Sequence, residues 1–320
     1  MNLQAEPDQT TESFTPFALP APELDPFDAL LGHAPAAPMQ PETDAVPFAP
    51  PRDFIHAYGL RENAFADCVH PAFFYRTEDH AEAFRSMTLA VEFKTSLGMV
   101  TGPSGTGKTL VTQLLLQHFQ GPQYRVVLVL VTPGLSKTGL LREILAELEI
   151  ALPVGVARVQ DLVKLLSNHI IELHQEGRRL VIILDECHLL SSDCLHIVRT
   201  ISNIETPEQK LTTCLLFAES RLVQRLERPG YESLRNRIYF RSELHPLSAA
   251  DAAQYLKYRL MTAGRLAELF TAPALEAIHR HAAGIPRTIN KLAMHSLIEG
   301  AARNSATIDE PIVSIAAQRL

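Results

Sequence analysis

Eight consecutive residues do most to limit what this chain can fold into: Gly102-Pro-Ser-Gly-Thr-Gly-Lys-Thr109. A short apolar run, Leu97–Thr101, precedes them, and Leu110, Leu114, Leu115 and Phe119 follow at the spacing of one helical face. A strand that enters a glycine-rich turn and leaves as a helix is built to hold an anion. Glycines let the backbone wrap closely enough to aim its N–H groups inward, and the helix turns its positive end onto the same charge. The GxxxxGK[ST] spacing then lets Lys108 reach the β- and γ-phosphates of a nucleoside triphosphate, and lets the Thr109 hydroxyl ligate Mg²⁺. Gly102, Pro103, Ser104, Gly105, Thr106, Gly107, Lys108, Thr109 and Leu110 are therefore expected to line the triphosphate.

A second element completes the chemistry. Leu180-Val-Ile-Ile-Leu-Asp185-Glu186 reads as a buried strand ending in two acids. Paired with the glycine loop, Asp185 is expected to hold the metal and Glu186 to polarise the attacking water as general base. Cys187, His188, Cys194 and His196 lie nearby, but their spacing matches no usual zinc pattern, and Leu189-Leu190 beside them reads as core. The Asp-Glu-Cys-His string also invites a DExH helicase reading. That needs two tandem nucleotide-binding domains, and the chain has one such loop and no room for a second.

Apolar runs and helical periodicity alternate along the body. Strands are expected at Leu97–Thr101, Tyr124–Val131, Arg179–Leu184, Leu211–Phe217 and Arg237–Ser242, and helices at about 79–94, 108–119, 137–149, 158–175 and 191–202. This order predicts an α/β fold, a parallel sheet covered on both faces. After Pro246 the pattern is helical throughout, at about 248–263, 272–282 and 286–303, which predicts a C-terminal helical lid. Residues 52–245 are expected to form the nucleotide-binding core and 246–320 the lid.

Residues 1–51 differ from the rest. They hold half of the 22 prolines and eight acidic residues with no lysine or arginine, so they carry −8 of a net charge of −7, and the remainder sums to about +1. That composition predicts a disordered acidic tail, in which Leu24–Leu31 has the look of a short docking segment. The near-neutral body argues neither for nor against nucleic acid. No apolar run approaches the roughly 18–20 residues of a membrane span, and the start lacks the positive residues of a secretory leader. The four cysteines form no CxxC pair, which fits a reducing compartment. A cytoplasmic protein is expected.

The chain resembles the ExeA/GspA-type branch of the AAA+ ATPases, close to the TniB/TnsC transposition regulators. The likeness runs from about Tyr58 to Val313 and rests on YGLRENAF (58–65), the glycine loop, DECHLL (185–190), VRTISNIETPEQKL (198–211) and GIPRTINKL (284–292). It implies a five-stranded three-layer P-loop core of the ASCE/AAA+ type plus a lid, a homo-oligomer with ATP and Mg²⁺ between subunits, and an arginine lent to the neighbour's γ-phosphate. Arg235 and Arg237 are the matching positions, and Arg287 matches the lid arginine called sensor 2. Two substitutions depart from the pattern. Ala64 stands where relatives have proline, and Ala218-Glu219-Ser220 replaces Gly-Gln-Pro, so a carboxylate occupies the sensor 1 position, where it slows hydrolysis unless it turns to Arg221 or Arg225. The family's membrane span and cell-wall-binding region have no counterpart here, so a cell-wall role is not expected to carry over.

Three functions compete. The first is an ATP-hydrolysing oligomeric switch or assembly motor for a partner protein machine. The second is an ATP-dependent regulator that binds duplex DNA, with Arg178, Arg179, Lys137 and Arg142 as phosphate contacts. The third is a nucleotide-holding scaffold with little hydrolysis, which Glu219 favours.

Overall fold

In the computed structural model, residues 53–67, 71–153, 155 and 158–319 are described. The expected tail, 1–51, with Leu24–Leu31, lies outside them. In chain order the elements are α1 (Phe54–Ala57), α2 (Glu78–Glu92), β1 (Leu97–Thr101), α3 (Lys108–His118), β2 (Tyr124–Leu130), α4 (Lys137–Glu147), α5 (Val159–Gln175) and β3 (Arg179–Asp185). They continue with α6 (Ser192–Ile201), β4 (Thr212–Ala218), α7 (Arg221–Leu226), α8 (Glu232–Arg235), β5 (Ile238–Glu243), α9 (Ala249–Thr262), α10 (Ala272–Ala282), α11 (Pro286–Ala302) and α12 (Glu310–Ala317).

The five strands form one parallel sheet in the order β2-β3-β4-β1-β5. Its central strands read as unbroken apolar runs because both faces are covered. Along β3 the side chains alternate between two cores. Leu180, Ile182 and Leu184 join Leu140, Ile144, Leu166 and Leu195 on one face, and Val181 and Ile183 join Met87, Val111 and Leu114 on the other. Leu215 and Leu216 divide in the same way and are fully buried, so truncating either to alanine costs about 2–5 kcal/mol. Helix α5 shows how the sequence sets its packing: Leu162, Leu166, Ile170 and Leu173 make a single buried stripe along it. Side-chain caps begin α2, α4, α6, α9 and α10, from Thr77, Ser136, Ser191, Ser248 and Thr271.

The C-terminal helices α9–α12 enclose a third core. Tyr58, Leu60, Ala64, Phe65 and Phe73 belong to it, so the segment before α2 packs with the C-terminal helices although the sequence division at 245/246 groups it with the nucleotide core. Spacing alone did not show this, because the segment is too short for periodicity to say which body it joins. Among the described residues the chain crosses between the two bodies twice: Phe73 and Leu247 belong to the helical core, and Phe74 and Leu244 to a core of the sheet. The crossings are tied together: His245 donates its backbone N–H to Asp79 Oδ2 at 3.0 Å and places its ring Nδ1 2.9 Å from the same oxygen. Gly284 seals the second crossing. Its carbonyl accepts the Leu247 N–H at 2.8 Å, its φ is +73°, and a Cβ there would lie 2.3 Å from the Leu247 carbonyl oxygen.

Among the described residues, no helix is long and apolar enough to cross a membrane.

Candidate functional site

The ends of β1 and β3 place the two acidic and basic halves of the site side by side at the carboxyl edge of the sheet, where open α/β sheets bind ligands. The loop after β1 runs straight into α3, whose first residue is Lys108. Lys108 is buried, and its Nζ donates to the carbonyls of Gly102 and Pro103, each at 2.9 Å. Burial pulls its pKa down, while the charges of Glu186, Asp185 and Glu219 push back. Among the described residues, the backbone N–H groups of Gly105, Thr106, Gly107, Lys108 and Thr109 meet no protein acceptor. Five unengaged backbone donors in one glycine-rich turn, with a buried ammonium, fit a polyphosphate.

Thr109 Oγ1 donates to Asp185 Oδ2 at 3.0 Å. Asp185 is 2% exposed, and its other oxygen accepts the Glu186 N–H at 2.8 Å. A hydroxyl and a carboxylate oxygen beside a polyphosphate cradle form the hard-oxygen donor set that Mg²⁺ takes. Glu186 sits at φ +59°, ψ +32°, in the left-handed region that residues other than glycine rarely adopt. This turn lifts its carboxylate off the line of β3 and into the cavity. Strain of this kind is held in place by surrounding contacts, here the Asp185 bond and the short 3₁₀ turn Cys187–Leu189.

The loop, Glu186, Phe73–Tyr75, Leu247, Tyr255, Arg259, Arg287 and Asn290 line a cavity of roughly 420 Å³. Its far end is aromatic. Arg259 lies over the rings of Phe73 and Tyr255, at 5.1 and 5.6 Å, and donates to the Tyr255 hydroxyl, which donates to Asn290 Oδ1 at 2.8 Å. A cavity with one polyphosphate end and one flat aromatic end has the shape of a nucleotide.

The helical body reaches the loop directly. Arg287 donates its backbone N–H to the Gly105 carbonyl at 3.3 Å, and its guanidinium lies 3.5 Å from Ser104 Oγ. Arg235 and Arg237 are elsewhere. They precede β5, and Leu97 pairs with Ile238 while Thr101 pairs with Glu243. Both arginines therefore sit at the opposite edge of the sheet from the loop, roughly 13 Å away along the strand. Arg237 is tied to Asn203 Oδ1.

Glu219 turns aside, as one of the sequence readings anticipated. Its Oε2 pairs with Arg221 Nε at 3.1 Å. Its backbone N–H donates to Nδ1 of His188, whose ring also stands 3.3 Å from Glu186 Oε2. Burial pulls the His188 pKa down, with the Glu219 and Glu186 charges opposing it. The other cysteine and histidine positions do not converge: Cys187 donates to the Leu184 carbonyl, Cys194 to the Leu135 carbonyl, and His196 stacks on Tyr231.

The proposed DNA contacts are mostly engaged within the chain. Arg179 donates to the Lys210 carbonyl and the Thr213 hydroxyl at 2.6 and 2.7 Å, and burial lowers its pKa to about 10. Lys137 pairs with Asp193 and Arg178 with Glu176, while Arg142 is exposed. Sequence reasoning passed over His80, which touches the loop from below. No motif or charge pattern marks it, and the signal was only its place in the first turn of the helix before β1.

Residues 91–226 match the family model described as an AAA domain. Over 264 residues the chain is 34% identical to general secretion pathway protein A of Aeromonas hydrophila, an alignment covering 82% of this chain. It covers 48% of that protein, so the chain spans about half the length of the curated relative it matches. Among solved structures, Cdc6p from Pyrobaculum aerophilum superposes with a TM-score of 0.63 at 16% identity, over 80% of this chain and 70% of that one. The Aeropyrum pernix ORC1 protein, solved in complex with DNA, gives 0.61 at 18% identity, over 81% and 69%. At these identities the two structures speak for the fold.

Proposed function

Because the chain is an ExeA/GspA-like AAA+ protein of the P-loop nucleotide-binding type, we propose that it binds ATP with Mg²⁺, hydrolyses it, and works as a homo-oligomeric switch or assembly motor for a partner protein. The observation that carries this reading is the Thr109–Asp185 bond at the mouth of a cavity that also holds Lys108 and Glu186. Lys108, freed from the two loop carbonyls, pairs with the β- and γ-phosphates. Thr109 and Asp185 would hold Mg²⁺, which would neutralise charge on the phosphates. Glu186 takes the proton of the attacking water as general base. Arg287 reports the nucleotide to the helical body.

Assembly is supported by where the remaining arginines lie. Arg235 and Arg237, at the far edge of the sheet and about 13 Å along the strand from the loop, are read as serving a neighbour's site instead of their own. Arg235 is the better donor, since Arg237 is already bonded to Asn203. Pairing of Glu219 with Arg221 favours hydrolysis over a nucleotide-holding scaffold. The engagement of Arg178, Arg179 and Lys137 favours a protein over duplex DNA as partner. A cytoplasmic setting, where ATP is abundant, goes with the same reading and with the buried unpaired thiols of Cys187, Cys194 and Cys214.

The test is phosphate release together with nucleotide binding. Glu186→Gln is expected to bind ATP, release phosphate at least about 100-fold more slowly, and accumulate as an ATP-bound oligomer. Lys108→Ala is expected to lose ATP binding. Tight ATP binding by the Lys108 variant would sink the assignment.

A further inference from the structure

His80 sits in the first turn of α2, directly beneath the glycine loop, and is 6% exposed. Its ring makes two polar contacts. Nε2 lies 2.9 Å from the Thr106 carbonyl oxygen, and Nδ1 lies 2.6 Å from Thr77 Oγ1. Phe74 meets the ring edge-on at 5.3 Å.

These contacts fix the tautomer. A carbonyl oxygen only accepts, so Nε2 carries the hydrogen. Thr77 Oγ1 already accepts the His80 backbone N–H at 3.3 Å, leaving its own hydrogen free to donate to Nδ1. Burial lowers the His80 pKa, against the Thr106 bond and the Asp79 charge that raise it.

The Thr106 carbonyl belongs to a peptide whose other half is the Gly107 N–H. In a trans peptide the two point in opposite directions, and the chain has no cis peptide bonds among the described residues. Holding the carbonyl down onto His80 therefore turns the Gly107 N–H up into the cradle, away from any protein acceptor. The glycine and the histidine are matched. Gly107 has φ +103°, and a Cβ on it would lie 2.6 Å from His80 Nε2, so a side chain there would expel the ring that orients the peptide.

We propose that His80 is a positioning residue for the phosphate cradle: through the Thr106 carbonyl it holds the Thr106–Gly107 peptide in the orientation that presents the Gly107 N–H to a phosphate oxygen. A peptide free to rotate would offer the carbonyl oxygen to the phosphate in some fraction of molecules, and that fraction binds poorly. The inference rests on the nucleotide-site reading above.

Calorimetric titration of the full chain with ADP and with inorganic tripolyphosphate tests it. His80→Phe keeps the ring and removes the donor, and it is expected to weaken both ligands at least about tenfold, with its thermal midpoint within a few degrees of wild type. His80→Gln restores an N–H near the Nε2 position and is expected to bind within about threefold of wild type. A folded Phe variant that binds like wild type, or a folded Gln variant as weak as Phe, overturns the proposal. Ring ¹⁵N shifts of His80 in the wild type decide the same point should the Phe variant not fold. A neutral ring protonated at Nε2 supports the proposal, and one protonated at Nδ1 overturns it. A wild type that binds neither ligand would instead overturn the nucleotide-site reading, and the ring shifts still report the His80 bond.

Discussion

The hydroxyl of Thr109 and the carboxylate of Asp185 are joined by a 3.0 Å hydrogen bond although they lie 76 residues apart in sequence. The first stands in the opening turn of α3 and the second ends β3, and it is the register of the parallel sheet that brings them together, since β1 and β3 both flank β4.

That bond links the metal-binding proposal to two side chains that can be changed without altering shape. Asp185→Asn keeps the volume and loses the charge, and it is expected to lower Mg²⁺-dependent phosphate release about 100-fold while leaving the thermal midpoint nearly unchanged. Thr109→Ser is expected to keep most activity, and Thr109→Val to lose it. Phosphate release across a Mg²⁺ titration checks all three.

Arg221 is expected to protect hydrolysis from the Glu219 carboxylate. Removing it as Arg221→Ala frees a negative charge near the γ-phosphate position and should slow phosphate release about fivefold. Adding Glu219→Gln should restore the rate, because the charge that needed neutralising is gone. The ion pair is partly exposed, so neither change should move stability by more than about 1 kcal/mol. A double-mutant cycle on the rate reads the coupling.

Acidification is expected to destabilise the fold below about pH 6.5. Burial holds the pKa values of His80, His118 and His188 below the ordinary value. Unfolded, each takes up a proton near 6.5, whereas folded it does so only at lower pH. The unfolded chain thus binds more protons in that window, and stability falls as pH falls through it. Thermal midpoints between pH 7.5 and 5 should decline, and His80→Gln should decline less steeply.

Gly284→Ala is expected to loosen the helical body. The left-handed backbone costs about 1–2 kcal/mol for an L side chain, and the Leu247 carbonyl stands where the methyl would go. A lowered thermal midpoint with weakened nucleotide binding is the expected pair of results, since the next turn carries Arg287 onto the loop.

The sheet was legible because its strands are buried on both sides. Leu180–Leu184 and Tyr124–Val131 stand out as apolar runs of strand length, and the expected strands match the observed ones to within a residue. Several short helices were passed over: α1, α7, α8 and α12, of four to eight residues, are too short for a 3.6-residue period to rise above chance. The loop and the two acids were readable as motifs, since their chemistry demands residue types in a set order. The sequence offers Arg179 as a phosphate contact on duplex DNA, yet it is bonded to Lys210 and Thr213 at the start of β3. His80 acts through one backbone carbonyl, a contact that leaves no pattern in residue types. Neither could be seen from spacing, because each depends on which non-adjacent backbone atoms fall within 3 Å.

The paired crossings at Phe73/Phe74 and Leu244/Leu247 give the molecule a mechanical character. A body joined to another by one covalent strand can swivel freely, whereas one joined by two strands, themselves tied through Asp79 and His245, has a single soft axis along the line between the pins. Arg287 and Asn290 stand on one side of that line and Lys108 and Thr109 on the other, so any rotation about it would change the width of the cavity they line, as a jaw does.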